Sequence, residues 1–270
     1  SKAKNERKSY MKKILSAWLN SYAPTLWLVY IHKNQIFPLN FWSCEHELKN
    51  ISKIPLSSKT IAIDIGANIG AYSFTFSKRL GFKKVFSVEP DSSLHSFITK
   101  IPKVTLISEA LSDSESIEVL SVPVIDGVPL KSRSTLCKNT LASFEEISSY
   151  EVRCITLDSM VATKKINPLS VGIVKIDVEG NEFQTLVGGE QFLRATNATL
   201  LIEIEARHHT NGSVRHIFDL LGEFDYAPHY LCPFDCELKT FVVSEIQNLQ
   251  AEKNIGTIDY INNFIFIKSN

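Results

Sequence analysis

Residues 60–65 (TIAIDI) form an apolar, β-branched run that ends directly in Gly66-Ala67-Asn68-Ile69-Gly70, after which helix-forming residues resume. A buried strand that stops at two close glycines and re-enters as a helix is compatible with few folds. Glycine there allows a tight turn and lets a ligand approach the backbone. The helix that follows offers unpaired N–H groups at its amino terminus. The spacing is Gly-x-x-x-Gly, so it does not match the Gly-x-Gly-x-x-Gly fingerprint of dinucleotide sites. Asp64, just ahead of the first glycine, suits a ligand with an ammonium group better than one carrying only phosphates.

From residue 60 onward the same alternation continues. Lys84–Val88, Val104–Ile107, Ile173–Val178, Leu200–Ile204 and Asn263–Ile267 are further short apolar runs, of the kind that suits strands covered on both faces. Between them the spacing predicts helices over Ala71–Leu80, Ser92–Lys100, Asn181–Arg194 and Val214–Leu221, the third weakened by Gly188-Gly189. Strand and helix in alternation imply an α/β sheet built from right-handed crossovers. Two regions depart from the pattern. Residues 1–59 read as a mostly helical extension or cap, with Pro55 and Ser57-Ser58 as linker, ahead of a main domain over 60–270. Residues 114–157 read as an insertion of short strands and loops, strand-like at Ile117–Val122 and again from Arg153 to Leu157, with a turn at Asp126-Gly127.

Charge narrows the partners. Lys and Arg total 29 and Asp and Glu total 29, a zero net charge that argues against nucleic acid bound by bulk electrostatics. The 5 cysteines are too few and too scattered for a disulfide framework and suit a reducing compartment such as the cytoplasm. Cys232, Cys236 and His229 lie close together in sequence, but no second pair at ligand spacing completes a zinc site, and no metal is expected. The first 13 residues are polar and basic, and the uncharged stretch 14–31 is broken by Ser16, Asn20, Ser21 and Pro24, so it does not read as a membrane span. Trp18, Leu19, Tyr22, Leu26 and Trp27 behind that basic start suit either a cap packed on the main domain, the favoured reading, or an interfacial helix giving peripheral membrane contact.

A second acidic signal strengthens the first. Val88-Glu89-Pro90-Asp91 closes the second strand, placing Glu89 where an acid accepts ribose hydroxyls in nucleoside-binding α/β folds. DIGANIGAYS (64–73) and VEPD (88–91) resemble the first two motifs of class I S-adenosylmethionine-dependent methyltransferases. With ALSD (110–113), TLDS (156–159), VKIDVEGNE (174–182) and LIEIEARHH (201–209), the ordered set resembles the FkbM family over about residues 60–268. The resemblance implies a Rossmann-like fold with a mostly parallel seven-stranded sheet, helices on both faces, and S-adenosyl-L-methionine as cofactor. It also implies methyl transfer to hydroxyl groups, mostly on sugars and natural products. On the matching positions, Asp64, Gly66, Asn68 and Gly70 would hold the methionine part of the cofactor. Glu89 would take the ribose, Pro90 and Asp91 would edge the adenine, and Glu109, Ala110 and Leu111 would lie beside it. Residues 1–59 match nothing specific in the family.

Methyl transfer to an alcohol needs near-attack positioning and a general base. Asp177 and Glu179, on one side of their strand with Lys175, and His208 and His209, after the Leu200 run, are the catalytic candidates. The competing, less favoured reading of Asp177 is a cap on the following helix. Arg133, Ser134 and Thr135 in the loop 131–137 could reach substrate, and Trp18, Trp27 and Trp42 could supply an aromatic platform for a sugar. The expected activity is O-methylation of a sugar hydroxyl in a glycan, glycolipid or glycosylated metabolite. The alternatives are N-methylation of an amino sugar or small amine, hydride transfer with a nicotinamide, and a non-catalytic methyltransferase fold acting as a binding protein.

Overall fold

The computed structural model of the protein describes residues 46–137, 141, 144–208, 213–246, 250 and 260–269. Trp18, Trp27 and Trp42, the basic start and His209 lie outside the described residues.

Helix α1 (His46–Asn50) and a 3-10 turn (Ile51–Lys53) precede strand β1 (Ile61–Ile65). Helix α2 (Ala71–Phe74) runs on as a π-helical segment (Thr75–Arg79) to β2 (Lys84–Val88). A 3-10 turn (Ser92–Leu94) and α3 (His95–Ile98) then lead to β3 (Val104–Ile107). Strand β4 (Ala110–Leu111) leads into the insertion, which contains β5 (Ser116–Ile125), β6 (Val128–Pro129) and β7 (Glu146–Ile155). After it come α4 (Leu157–Thr163), β8 (Val171–Ile176), α5 (Glu182–Val187), α6 (Glu190–Ala195) and β9 (Thr199–Glu203). Helix α7 (Ser213–Gly222), β10 (Tyr226–Leu231), β11 (Leu238–Thr240) and β12 (Asn263–Lys268) complete the fold.

The main sheet is Rossmann-like, in the order β11-β10-β12-β9-β8-β1-β2-β3. Strands β3, β2, β1, β8 and β9 pair in parallel, β12 is antiparallel to both β9 and β10, and β11 is an antiparallel edge on β10. It has one strand more than the seven expected. β11 is short and half-exposed, so it has no apolar run to announce it. The chain leaves β1 in one direction to β2 and β3 and returns on its other side as β8, which puts the topological switch at the carboxyl ends of β1 and β8. Ligands of open α/β sheets bind in that crevice.

Both faces of the sheet are buried, and alternate residues serve opposite cores. Ile63, Ile65, Val174, Ile176, Leu200 and Ile202 pack with Leu157, Leu186, Phe192 and Phe218 of α4 to α7. Ala62, Val85, Ile173, Leu201 and Ile265 pack instead with Tyr72 and Phe76 and with Leu48, Ile51 and Ile54. Residues 46–54, placed in the extension by sequence, thus contribute to this second core. The segment behind them lies along the starts of β8 and β9: Ser57 Oγ donates to the Val171 carbonyl at 3.2 Å and Thr199 Oγ1 to that of Pro55 at 2.6 Å.

The helix expected over 181–194 is two helices. A Cβ on Gly188 would lie 2.1 Å from the Ser112 carbonyl, and one on Gly189 would lie 2.7 Å from Leu157, so the break lets neighbouring chain approach closely. Asp158 caps the second helix, its carboxylate accepting the N–H groups of Gln191 and Phe192 at 3.0 and 2.8 Å. The insertion forms a second sheet together with β4, ordered β4-β7-β5-β6, whose long β5–β7 pairing exceeds the short runs legible in sequence. Among the described residues no helix is long and apolar enough to cross a membrane.

Candidate functional site

At the switch point lies a cavity of about 630 Å³, counting its open mouth. Its floor is two strand ends in contact. Gly66, at φ +78°, donates its N–H to the Val88 carbonyl at 3.0 Å, and a Cβ on it would fall 1.7 Å from the Asp177 carbonyl oxygen. Asp177 in turn donates its N–H to Ile65 at 3.0 Å. Only glycine fits that turn, by conformation and by space.

Glu89 joins the two loops above this floor. Its Oε2 accepts the Asn68 N–H and its Oε1 the Asp91 N–H, both at 2.8 Å. Asn68 sits at φ +51°, a left-handed conformation that asparagine tolerates. Burial pushes the Glu89 carboxyl up to about 7, against the pull of those N–H groups. Val88, Pro90, Ala110 and Leu111 form an apolar wall beside it.

The facing wall comes from the insertion, through Leu120, Leu136, Lys131, Ser132 and Ser134. Three contacts hold it there. Lys131 Nζ donates to Asp91 Oδ2 at 2.6 Å, Thr135 Oγ1 donates to the Glu179 carbonyl at 2.7 Å, and Cys137 Sγ donates to the Gly180 carbonyl at 3.2 Å. Burial would raise the Asp91 carboxyl, but Lys131 and Ser93 outweigh it and hold it below its ordinary value. Glu182 Oε1 accepts the N–H groups of Val178 and Gly180, fixing the turn after β8 from inside.

At the other end of the cavity the residues are ionisable. Asp177 and Glu179 line it. Glu179, at φ +52°, is strained for a residue other than glycine, as functional turns often are. Its Oε2 stands 3.5 Å from His208 Nε2, and Glu205 Oε2 lies 3.9 Å from the same nitrogen. Burial, then the neighbouring carboxylates of Asp177, Glu205 and Glu182, push Glu179 up to about 8. Burial acts on Glu205 in the same sense, but its contact with Arg207 brings it below its ordinary value. Asn262 bridges Glu203 and Glu205 at 2.8 and 3.0 Å. Among the described residues no three His, Cys, Asp or Glu side chains converge as metal ligands.

The structure therefore brings Gly66, Asn68, Glu89, Pro90, Ala110, Leu111, Asp177 and Glu179 onto one cavity wall. His208 stands behind Glu179. Asp64 is off the wall: it points to the α2 side of the sheet, where Oδ2 accepts the Ser73 hydroxyl at 2.5 Å and burial raises its carboxyl to about 6. Gly70 is also off it, opening α2 at φ +85° against Ile101. Asp91 turns to Lys131 and to the cap of the following turn, and Glu109 does not line the cavity. Of the loop candidates, only Ser134 reaches the cavity; Thr135 spends its hydroxyl on backbone and Arg133 lies over the Phe144 ring. Sequence reasoning missed Leu120, Lys131, Ser132, Leu136, Val178 and Asn181. The alternation of Leu120, Val122 and Val124 along β5 was the one available signal.

Residues 64–228, well over half of the chain, match the family model described as the Methyltransferase FkbM domain. No curated protein is a significant match. Among solved structures, methyltransferase FkbM from Methylobacillus flagellatus KT is 13% identical with a TM-score of 0.45, over 87% of this chain and 47% of that one. The chain thus spans about half that protein's length. A precorrin-6y C5,15-methyltransferase from Geobacter metallireducens GS-15 is 13% identical with a TM-score of 0.40, over 87% of this chain and 92% of that one. The plantazolicin methyltransferase BpumL in complex with SAH is 12% identical with a TM-score of 0.33, over 96% and 90%.

Proposed function

The chain belongs to the FkbM methyltransferase family, and from that premise we propose that it transfers a methyl group from S-adenosylmethionine to a hydroxyl of a sugar-bearing acceptor. The cavity's chemistry fits that cofactor. A carboxylate offers about four lone-pair directions, and the Glu89 oxygens use one each on backbone N–H groups, so both can still accept a ribose hydroxyl. Val88, Pro90, Ala110 and Leu111 facing Leu120 and Leu136 suit the two faces of a purine. Gly66 and Asn68 would take the amino-acid end. The bound cofactor supplies a methyl group made electrophilic by its sulfonium.

The chain's own residues orient the acceptor and move its proton. The observation that carries the hydroxyl reading is the pairing of Glu179 and His208, 3.5 Å apart at the cavity's ionisable end. An alcohol must lose its proton near the transition state. Glu179, made more basic than an ordinary glutamate by burial and like charge, accepts that proton at Oε2, with His208 Nε2 beside it to share it. The insertion loop, through Ser132 and Ser134, bounds the cavity on its facing side. The balanced net charge agrees with an uncharged or mixed-charge glycan.

A second reading, N-methylation, draws support from the carboxylates gathered at that end, which would attract an ammonium acceptor. Incubating the protein with methyl-labelled cofactor and paired hydroxyl and amine acceptors, then locating the label by mass spectrometry, tests both. Label on oxygen supports the proposal, and label only on nitrogen overturns it. Calorimetric binding of NAD in place of the cofactor would overturn the methyltransferase chemistry as well. Cys137, Cys154, Cys232 and Cys236 are free thiols, which fits a cytoplasmic setting.

A further inference from the structure

Lys175 is buried to 1% exposure within the sheet, although it carries a charge and does not reach the cavity. It faces the α2 side. Its register partner across β1 is Asp64, and its Nζ lies 2.9 Å from Asn263 Oδ1 on β12, 3.7 Å from Asp177 Oδ2 and 3.8 Å from Glu203 Oε2 on β9. The Tyr72 ring of α2 stands 5.1 Å from the same nitrogen. An ammonium group is retained in such a place only when its partners compensate its lost hydration. Of the carboxylates around it, Asp64 is sealed against Ser73, Glu203 turns to Asn262, and Asp177 alone opens on the cavity.

Asp177 is also fixed at the glycine loop, since its carbonyl occupies the space a Gly66 side chain would need. With Asp64 off the wall and Glu89 assigned to the ribose, Asp177 is the remaining cavity carboxylate beside the loop that would receive the amino-acid end of the cofactor. Glu179 on its own loop and Asp64 on β1 are also charged neighbours, both of its own sign. We propose that Lys175 is a positioning residue that acts through Asp177, holding that carboxylate as an anion aimed at the ammonium group of the cofactor. This rests on the reading of the cavity as the cofactor site.

A double-mutant cycle on the whole chain tests it, with S-adenosylhomocysteine as the calorimetric probe because it keeps the amino-acid end. Lys175→Met and Asp177→Asn are each expected to weaken binding about tenfold, and the double variant no further than either alone, as coupled sites do. A merely structural lysine would give additive losses, about a hundredfold in the double variant, and that result would overturn the proposal. Unchanged affinity in Lys175→Met would overturn it too. Where Lys175→Met does not fold, Asp177→Asn decides alone: affinity within about twofold of wild type removes the role of Asp177 and with it that of Lys175. Failure of the unaltered protein to bind the probe would instead remove the cofactor reading on which the proposal rests.

Discussion

Glu89, at the end of β2, reaches the glycine loop that follows β1 and accepts the backbone N–H of Asn68 at 2.8 Å. One side chain thereby shapes the loop and faces the cavity where the ribose is proposed to sit. Replacing it by alanine removes both. Hydrogen bonds to a charged group contribute about 1.5–3 kcal/mol each, so Glu89→Ala should weaken S-adenosylhomocysteine binding about a hundredfold by calorimetry. It should also lower the thermal midpoint, because two backbone N–H groups lose their acceptor.

Gly66 and Gly81 share φ +78°, but only Gly66 has backbone in the space of a Cβ; nothing lies within 4 Å of the corresponding point at Gly81. Gly81→Ala should therefore cost only the conformational strain, about 1–2 kcal/mol, and leave cofactor affinity intact. Gly66→Ala adds a clash with the Asp177 carbonyl and should cost at least about 3 kcal/mol in urea unfolding, with no measurable cofactor binding. Equal costs would show that the β1–β8 contact is looser than the geometry implies.

With Glu179 in the proposed role of general base, it sets the expected pH profile of kcat/KM. Its carboxyl is raised to about 8 by burial and like charge, so it is protonated below that value and serves as a base only above it. Activity should climb as pH rises through about 8 and then level. Glu179→Gln should lower kcat by about 100- to 10,000-fold and flatten the climb. A profile that keeps its rise in this variant assigns the proton to another group.

Lys131 and Asp91 pair at 2.6 Å, with the lysine one third exposed. Solvent screening keeps such a pair to about 1 kcal/mol or less, so Lys131→Met should scarcely change the melting temperature. It loosens the wall that the insertion lays over the cavity, and stopped-flow measurement should find probe dissociation a few-fold faster. An unchanged dissociation rate would mean that Thr135 and Cys137 hold the wall unaided.

Six strands of the main sheet were legible because they are continuous apolar runs, while β10 and β11 are half-buried and carry none, and the glycine turn was legible because Gly66 and Asn68 leave a chemical signature at a strand end. The position of the Asp64 side chain was not legible, because adjacency in sequence says nothing about which face a strand residue takes: it alternates with Ile63 and Ile65, and points to the Ser73 side. The insertion wall was hidden for another reason. Lys131 and Ser134 belong to a loop, where no periodicity reveals direction, and Leu136 reaches the cavity only through pairings with residues more than ten positions away. Helix lengths erred at Gly188 and Gly189, where tertiary approach by Ser112 and Leu157 overrides a helical pattern.

The insertion leaves and rejoins the main fold at one place, where Ala110 pairs with Cys154 and Leu111 with Ile155. A segment whose two ends lie side by side can be exchanged as a cassette, provided the incoming stretch keeps that short seam and supplies the contacts that Lys131, Thr135 and Cys137 make with the main fold. Grafting the stretch between them from a relative would swap Leu120, Lys131, Ser134 and Leu136 together and leave Gly66, Glu89 and Asp177 untouched. Exchanging that stretch would thus remake one whole side of the cavity in a single step, while the strand ends opposite it keep their sequence.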